Sequence, residues 1–117
     1  MAAALIPALT FSFFLSPSAL ASTPVICLAY DTGGPGDSSF NDAAQAGLKV
    51  AAKTLQFTLE TTVTSGDAKD RTDRLTALVK KSCTIVIAVG TGYAATLKEL
   101  AQVFPETQFA ILNDATV

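Results

Sequence analysis

Carboxylates in this 117-residue chain are concentrated around two apolar, strand-like segments and a glycine-rich loop. Asp31 directly follows one apolar segment, and Asp114 lies at the end of another. Asp37 and Asp42 fall in the loop itself, which reads DTGGPGDSSFND from residue 31 to 42. An ionised aspartate only accepts hydrogen bonds, and several of them together repel an anion. These carboxylates therefore favour a neutral polar ligand that offers N–H or O–H groups.

Two neighbours of the carboxylates suit a heterocyclic ligand. Phe40 follows a polar loop at a predicted helix start, where it could present a flat face on which a ring stacks. The alternative is a structural phenylalanine, either a hydrophobic staple or a core plug. Asn41 offers both a donor and an acceptor. We predict ligand-binding residues and no catalytic ones: Asp31, Phe40, Asn41 and Asp114, with Ser39, Asp42 and Gly90 as further candidates.

Several classes of protein are disfavoured by what the sequence contains. Gly34 and Gly36 give G-x-G, but Ser39 stands where the dinucleotide fingerprint needs its third glycine, and no G-K-[ST] follows. The chain has no histidine, so histidine-based triads and most zinc sites are excluded. The net charge is −2 with no basic run, which argues against nucleic-acid binding. We expect no cofactor and no metal site.

Strand-like and helix-like segments alternate along the chain. Residues 25–30, 56–64, 84–89 and 108–112 are predicted strands, and 43–55, 70–81 and a stretch ended by Pro105 are predicted helices. This alternation predicts an α/β fold with a parallel, doubly wound sheet of order 2-1-3-4. Ligands of such sheets bind at the carboxyl ends of the strands, beside the first helix. The candidate residues collect at that edge.

The first 21 residues have the pattern of a secretory signal peptide. An apolar stretch precedes an A-x-A site ending at Ala21, so cleavage would leave Ser22 as the first residue of the mature domain, 22–117. No Lys or Arg precedes the apolar stretch, and a short membrane anchor or a buried helix are the alternatives. The pattern predicts export to the cell envelope or beyond it.

Cys27 and Cys83 both fall in predicted strands. Export would permit a disulfide, but we favour two unpaired, buried cysteines that pack as small apolar side chains. Cys27 is not a lipid-anchor cysteine, because that site needs a small preceding residue and Ile26 stands there. A lipid anchor is therefore not predicted.

Two segments resemble the basic membrane protein family, the substrate-binding proteins of nucleoside ABC transporters, including purine-nucleoside receptors. They read YDTGGPGDSSFNDAAQAGL and IVIAVGTGYAATLKELAQVFPETQFAILND, and their spacing also matches. The resemblance implies the amino-terminal lobe of a type 1 periplasmic-binding-protein fold, in which two α/β lobes close on the ligand. It assigns base stacking to Phe40, and polar contacts with the ligand to Asp31, Asn41 and Asp114.

Some of the family's features have no counterpart in this chain. Its ribose-binding Asp and Lys and a second stacking Phe belong to the other lobe. The lipobox cysteine of many members is absent, and Thr91 replaces a large apolar residue found after the third-strand glycine.

We therefore expect an exported protein that captures a purine nucleoside for an ABC transporter permease, present here as one lobe without its second. The alternatives are a sugar-binding or sensor domain of the same fold, or a Mg²⁺-dependent α/β enzyme using the aspartates. As an incomplete lobe, it should leave an apolar face beside the first helix bare.

Overall fold

The structure, a computed structural model, describes residues 21–115. Strands and helices alternate, with a short 3-10 turn at Thr91–Tyr93 between the third strand and the third helix. The strands are β1 (Val25–Tyr30), β2 (Thr58–Val63), β3 (Ile85–Val89) and β4 (Gln108–Leu112), and the helices are α1 (Phe40–Ala51), α2 (Ala68–Val79) and α3 (Ala94–Val103).

The four strands form one parallel sheet in the order β2-β1-β3-β4, as the sequence predicts. The central strands β1 and β3 are continuous apolar runs, which suits strands covered on both faces. β2 is an edge strand and carries threonines on both faces, which fits its more exposed position. Because β1 and β3 are parallel neighbours, their carboxyl ends lie side by side.

Two apolar cores lie on opposite faces of the sheet. The larger core packs α2 and α3 against Cys27, Ala29, Val86 and Ala88. The smaller core packs α1 against Leu28 and Tyr30 of β1 and Ile87 and Val89 of β3. Side chains alternate between faces along a strand, so Ile85, Ile87 and Val89 share the α1 side.

On the α1 side of the sheet, this single helix does not cover all four strands, as expected. Ile85 and Ile87 stay partly exposed, and a hollow of about 470 Å³ opens between α1 and β4. A second hollow of about 570 Å³ lies on the other face, between α3 and β4. The strand β4 is thus flanked by open apolar space on both faces.

The expectation of two unpaired cysteines is wrong. Cys27 is bonded to Cys83, with their Cα atoms 5.9 Å apart, a separation normal for a disulfide. Cys83 lies two residues before β3 rather than within it. The order 2-1-3-4 places β1 beside β3, so the start of β3 passes next to Cys27. Both side chains are buried in the larger core, where the bond joins the first strand to the turn after α2.

Two aspartates at the start of α2 hydrogen-bond within the turn that follows β2. Asp67 caps α2 by accepting a hydrogen bond from the Asp70 amide at 2.7 Å. Asp70 accepts from Arg74 Nε at 2.8 Å and from the Thr64 hydroxyl at 2.7 Å. These hydrogen bonds, that of Arg74 foremost, hold the pKa of Asp70 well below its ordinary value.

Among the described residues, no helix is both long and apolar enough to cross a membrane. The predicted signal peptide, residues 1–21, lies outside the described residues except for Ala21.

Candidate functional site

The carboxyl ends of β1, β3 and β4 meet at one edge of the sheet. Asp31 follows β1, Gly90 follows β3, and Asn113 and Asp114 follow β4. The Gly90 amide donates to the Leu112 carbonyl at 2.9 Å, which ties the ends of β3 and β4 together. The loop from Asp31 to Ser39 lies at this same edge, because it begins where β1 ends.

The glycines of this loop adopt backbone conformations that other residues rarely take. Gly33, Gly34 and Gly36 all have positive φ angles, of 88°, 63° and 98°. Gly34 also packs so closely on Val63 of β2 that an added Cβ would lie 3.1 Å from a Val63 methyl group. The loop therefore needs glycine for its shape and for its contact with β2.

Asn41 holds the loop to the end of β1. Its side chain is buried and is bonded to backbone groups on both sides. The Oδ1 atom accepts from the Asp31 amide at 3.0 Å, and Nδ2 donates to the Gly34 carbonyl at 3.2 Å. Nδ2 also donates to the Asp31 carbonyl, at 3.4 Å. These bonds give Asn41 a role in shaping the site, and its contact with a ligand stays a prediction.

The N-terminus of α1 is filled by the chain's own carboxylates. Asp37 accepts from the amides of Ser39, Asn41 and Asp42 at 2.8, 3.2 and 3.2 Å. Asp42 accepts from the Gly36 amide at 2.6 Å and the Ser38 amide at 2.9 Å. Desolvation alone would raise the pKa of Asp37, but the hydrogen bonds from these three amides hold it below its ordinary value.

Ser39 stands at the N-cap of α1 but makes no side-chain cap bond, and Asp37 supplies the acceptor instead. Asp37 and Asp42 also occupy amides to which a phosphate would bind in a glycine-rich loop, which adds to the repulsion of an anion expected from their charge. Ser39 itself is exposed at the edge.

Asp31 is paired with a cation that the sequence analysis did not single out. The Arg71 guanidinium, from the first turns of α2, lies 3.2 Å from Asp31 Oδ1. The Thr32 amide donates to the same oxygen at 2.9 Å. Since Asp67 starts α2 just after β2 ends, the first turns of α2 had to lie at the ligand edge. That placement is the signal that could have identified Arg71.

Phe40 and Asp114 lie in different hollows. Phe40 is 53% exposed, which excludes a core role within the described part of the chain. It lines the hollow between α1 and β4, together with Leu112 and Asn113. Asp114 is partly buried and lines the hollow on the α3 side of β4. The structure thus brings both to one sheet edge but does not place them in one cavity.

The carboxylates do not form a metal site. Across residues 21–115, no three acidic or cysteine side chains converge in a way that could hold an ion. Asp37 and Asp42 face backbone amides, and Asp31 faces a guanidinium. What the edge offers is therefore polar acceptors and one exposed aromatic ring.

Comparison with known proteins relates this chain to a family of transport proteins. Residues 25–116 match the family model for PnrA-like ABC transporter substrate-binding proteins. A lipoprotein of uncharacterised function from Pyrococcus horikoshii is 33% identical over 92 residues, which cover 78% of this chain and 22% of that protein. A similar lipoprotein from Pyrococcus abyssi is 31% identical over 93 residues, again covering 78% and 22%. The chain thus spans about a fifth of the length of these relatives.

Solved structures agree with this result. An ABC transporter solute-binding protein from Aeropyrum pernix K1 superimposes with a TM-score of 0.72 at 26% identity, over 80% of this chain and 25% of that one. A structure described as a lipoprotein fragment from Peptoclostridium difficile 630 gives a TM-score of 0.71 at 25% identity, over 80% and 75% of the two chains.

Proposed function

Because the chain belongs to the family of PnrA-like ABC transporter substrate-binding proteins, we propose that it forms one wall of a purine-nucleoside site in an exported transport receptor. The members of this family are substrate-binding proteins rather than enzymes, so the alternative of a Mg²⁺-dependent enzyme is excluded. The ligand, the ABC permease and the second lobe that would close the site are parts of the proposal.

The observation that carries this proposal is the half-exposed ring of Phe40 at the carboxyl edge of the sheet. A large aromatic side chain at the first position of a helix gains little from remaining in water, whereas a purine stacked on Phe40 would bury one face of the phenylalanine ring and one face of the base. The carboxylates of Asp31 and Asp114, at the same edge of the sheet, can accept from base N–H or ribose O–H groups. The ring and the acceptors together suit a nucleoside better than a free sugar.

Export is supported by two further observations. The Cys27–Cys83 bond is of a kind that persists in oxidising compartments, and the relatives are lipoproteins by description. Because the thiol of Cys27 is used in this bond, Cys27 itself is not a site of lipid attachment.

The experiment is an NMR titration of the isotope-labelled chain with inosine, ribose and Mg²⁺, since NMR detects the weak binding expected of a single lobe. Inosine should shift the amides around Phe40, and ribose should shift them less. Phe40→Ala should weaken inosine binding by about 1–3 kcal/mol while the fold is kept. Val50→Ala is the matched control, because Val50 is an exposed apolar residue on the same helix, 63% exposed, outside the hollow.

A second variant tests the acceptor role. Asp114→Asn removes the charge that strengthens a bond from a base N–H. We expect it to weaken inosine more than ribose, and equal losses would remove the base contact from the proposal. If Phe40→Ala destabilises the fold and leaves inosine affinity as it was, Phe40 is structural and the proposed site is wrong.

A further inference from the structure

The Arg71 guanidinium packs between an aromatic ring and the backbone of glycine residues. Its guanidinium carbon lies 5.4 Å from the centroid of the Tyr93 ring, and it donates to the Gly66 carbonyl. On its other side is the backbone of Gly92, where an added Cβ would lie 2.6 Å from the guanidinium carbon. Any residue larger than glycine at that position would therefore displace the arginine.

The Asp31 carboxylate also packs against a glycine that leaves room for it. Gly90 has a φ angle of 102°, and a Cβ added there would lie 2.4 Å from Asp31 Oδ2. The two glycines of Gly-Thr-Gly after β3 thus flank the ion pair, Gly90 beside the carboxylate and Gly92 beside the guanidinium. The Tyr93 hydroxyl donates to the Tyr30 carbonyl at 2.9 Å, which fixes the ring below the arginine.

The ion pair is partly shielded from solvent, Arg71 more than Asp31. The Arg71 side chain is 15% exposed and the Asp31 side chain 33%. Arg71 Nε is buried and has no hydrogen-bond partner in the described part of the chain, an arrangement that is unfavourable for stability. The guanidinium is therefore held in the interior at a cost in stability, whereas the Asp31 carboxylate, directly after β1, is the more exposed partner at the carboxyl edge of the sheet.

We propose that Arg71 is a positioning residue for ligand binding: it fixes the Asp31 carboxylate through Oδ1 and leaves Oδ2, over Gly90, as the acceptor for the ligand. This inference rests on the proposed function for its ligand, though the geometry it assigns to Asp31 does not. The planar guanidinium bonds Gly66 through Nη1 and Asp31 through Nη2, a fixed two-nitrogen geometry that the single nitrogen of lysine reproduces only in part.

The first measurement needs no ligand. The Thr32 amide donates to the oxygen that Arg71 contacts, so its NMR shift and exchange protection report on the carboxylate. Arg71→Gln should change both, and Arg71→Lys should restore part of the change. Arg74→Gln is the matched control, because Arg74 lies on the same helix but pairs with Asp70. An unchanged Thr32 amide in both Arg71 variants would overturn the proposal.

The second measurement asks whether the effect passes through Asp31. Arg71→Gln should weaken inosine binding about tenfold, and Arg74→Gln should leave it as it is. In an Asp31→Asn background, Arg71→Gln should have little further effect, because the carboxylate it positions is gone. The same loss in both backgrounds would show that Arg71 is merely structural, and so would an unaltered affinity of Arg71→Gln.

Failure of the proposed function has a different signature. If inosine does not shift the amide signals of the unaltered chain, the proposed nucleoside ligand is wrong. The Thr32 amide then still decides whether Arg71 holds the carboxylate, supporting that geometry if it responds and refuting it if it does not.

Discussion

Reducing the Cys27–Cys83 bond should cost the domain a large part of its stability. The bond joins residues separated by 56 positions, so in the unfolded chain it closes a long loop. Chain-entropy theory gives about 14 cal/mol/K for a loop of this length, or about 4 kcal/mol at 25 °C. That value is an upper limit, because an unfolded chain keeps residual structure, and about 2 kcal/mol is the lower end we expect.

Urea unfolding with and without reductant measures this loss. A small domain loses about 1–3 kcal/mol of stability per molar urea, so a loss of about 2–4 kcal/mol should lower the midpoint by roughly 0.7–4 M. The control is Cys27→Ala/Cys83→Ala, whose midpoint should not respond to reductant. It should fall slightly below that of the reduced chain, because the two buried sulfur atoms are also lost. If oxidised and reduced chains unfold at the same urea concentration, the reasoning from loop closure is refuted.

Three further predictions follow from backbone geometry, charge and exposed apolar surface. Gly90→Ala should destabilise the fold by about 1–3 kcal/mol more than Gly36→Ala, because both glycines have positive φ but only Gly90 lies against another side chain; equal losses in thermal melts would contradict this. Because the pKa of Asp70 is lowered in the folded state, its stabilisation is present above pH about 4 and is lost as pH falls below that value; acid unfolding should therefore be less steep in Asp70→Asn than in the unaltered chain, and equal steepness would contradict this. The open hollows beside β4 should bind a hydrophobic dye or drive dimerisation, and a dye-silent monomer at all concentrations would argue against an incomplete lobe.

The sheet was predictable because its signals are local. Continuous apolar runs mark β1 and β3, and 2-1-3-4 is the default order of a doubly wound sheet with four alternating strands. β4 lies at the predicted residues, whereas α1 begins at Phe40, three residues before the predicted start. The early start depends on Asp37 reaching forward to three amides, a geometry that a list of cap-forming residues does not distinguish from a serine cap.

The missed features depend on contacts between distant residues. Pairing Cys27 with Cys83 requires the start of β3 to pass beside β1 at the right height, which strand order alone does not fix. The ion pair of Asp31 with Arg71 spans 40 positions and depends on two glycines that could equally have been ordinary loop residues. Sequence patterns identified which residue types gather at the edge, but not which of them bind one another.

The hydrogen bonds that Asp37 and Asp42 accept within the glycine-rich loop affect how any ligand would bind. A glycine-rich segment is usually mobile when free, and ordering it on binding costs about 1–2 kcal/mol per residue in backbone entropy. Here five amide hydrogen bonds to Asp37 and Asp42 restrain the segment before a ligand arrives. That entropy is then lost during folding, so association could proceed at the rate set by diffusion and lobe closure rather than by loop ordering. The glycines give the loop its shape, and the aspartates make it rigid.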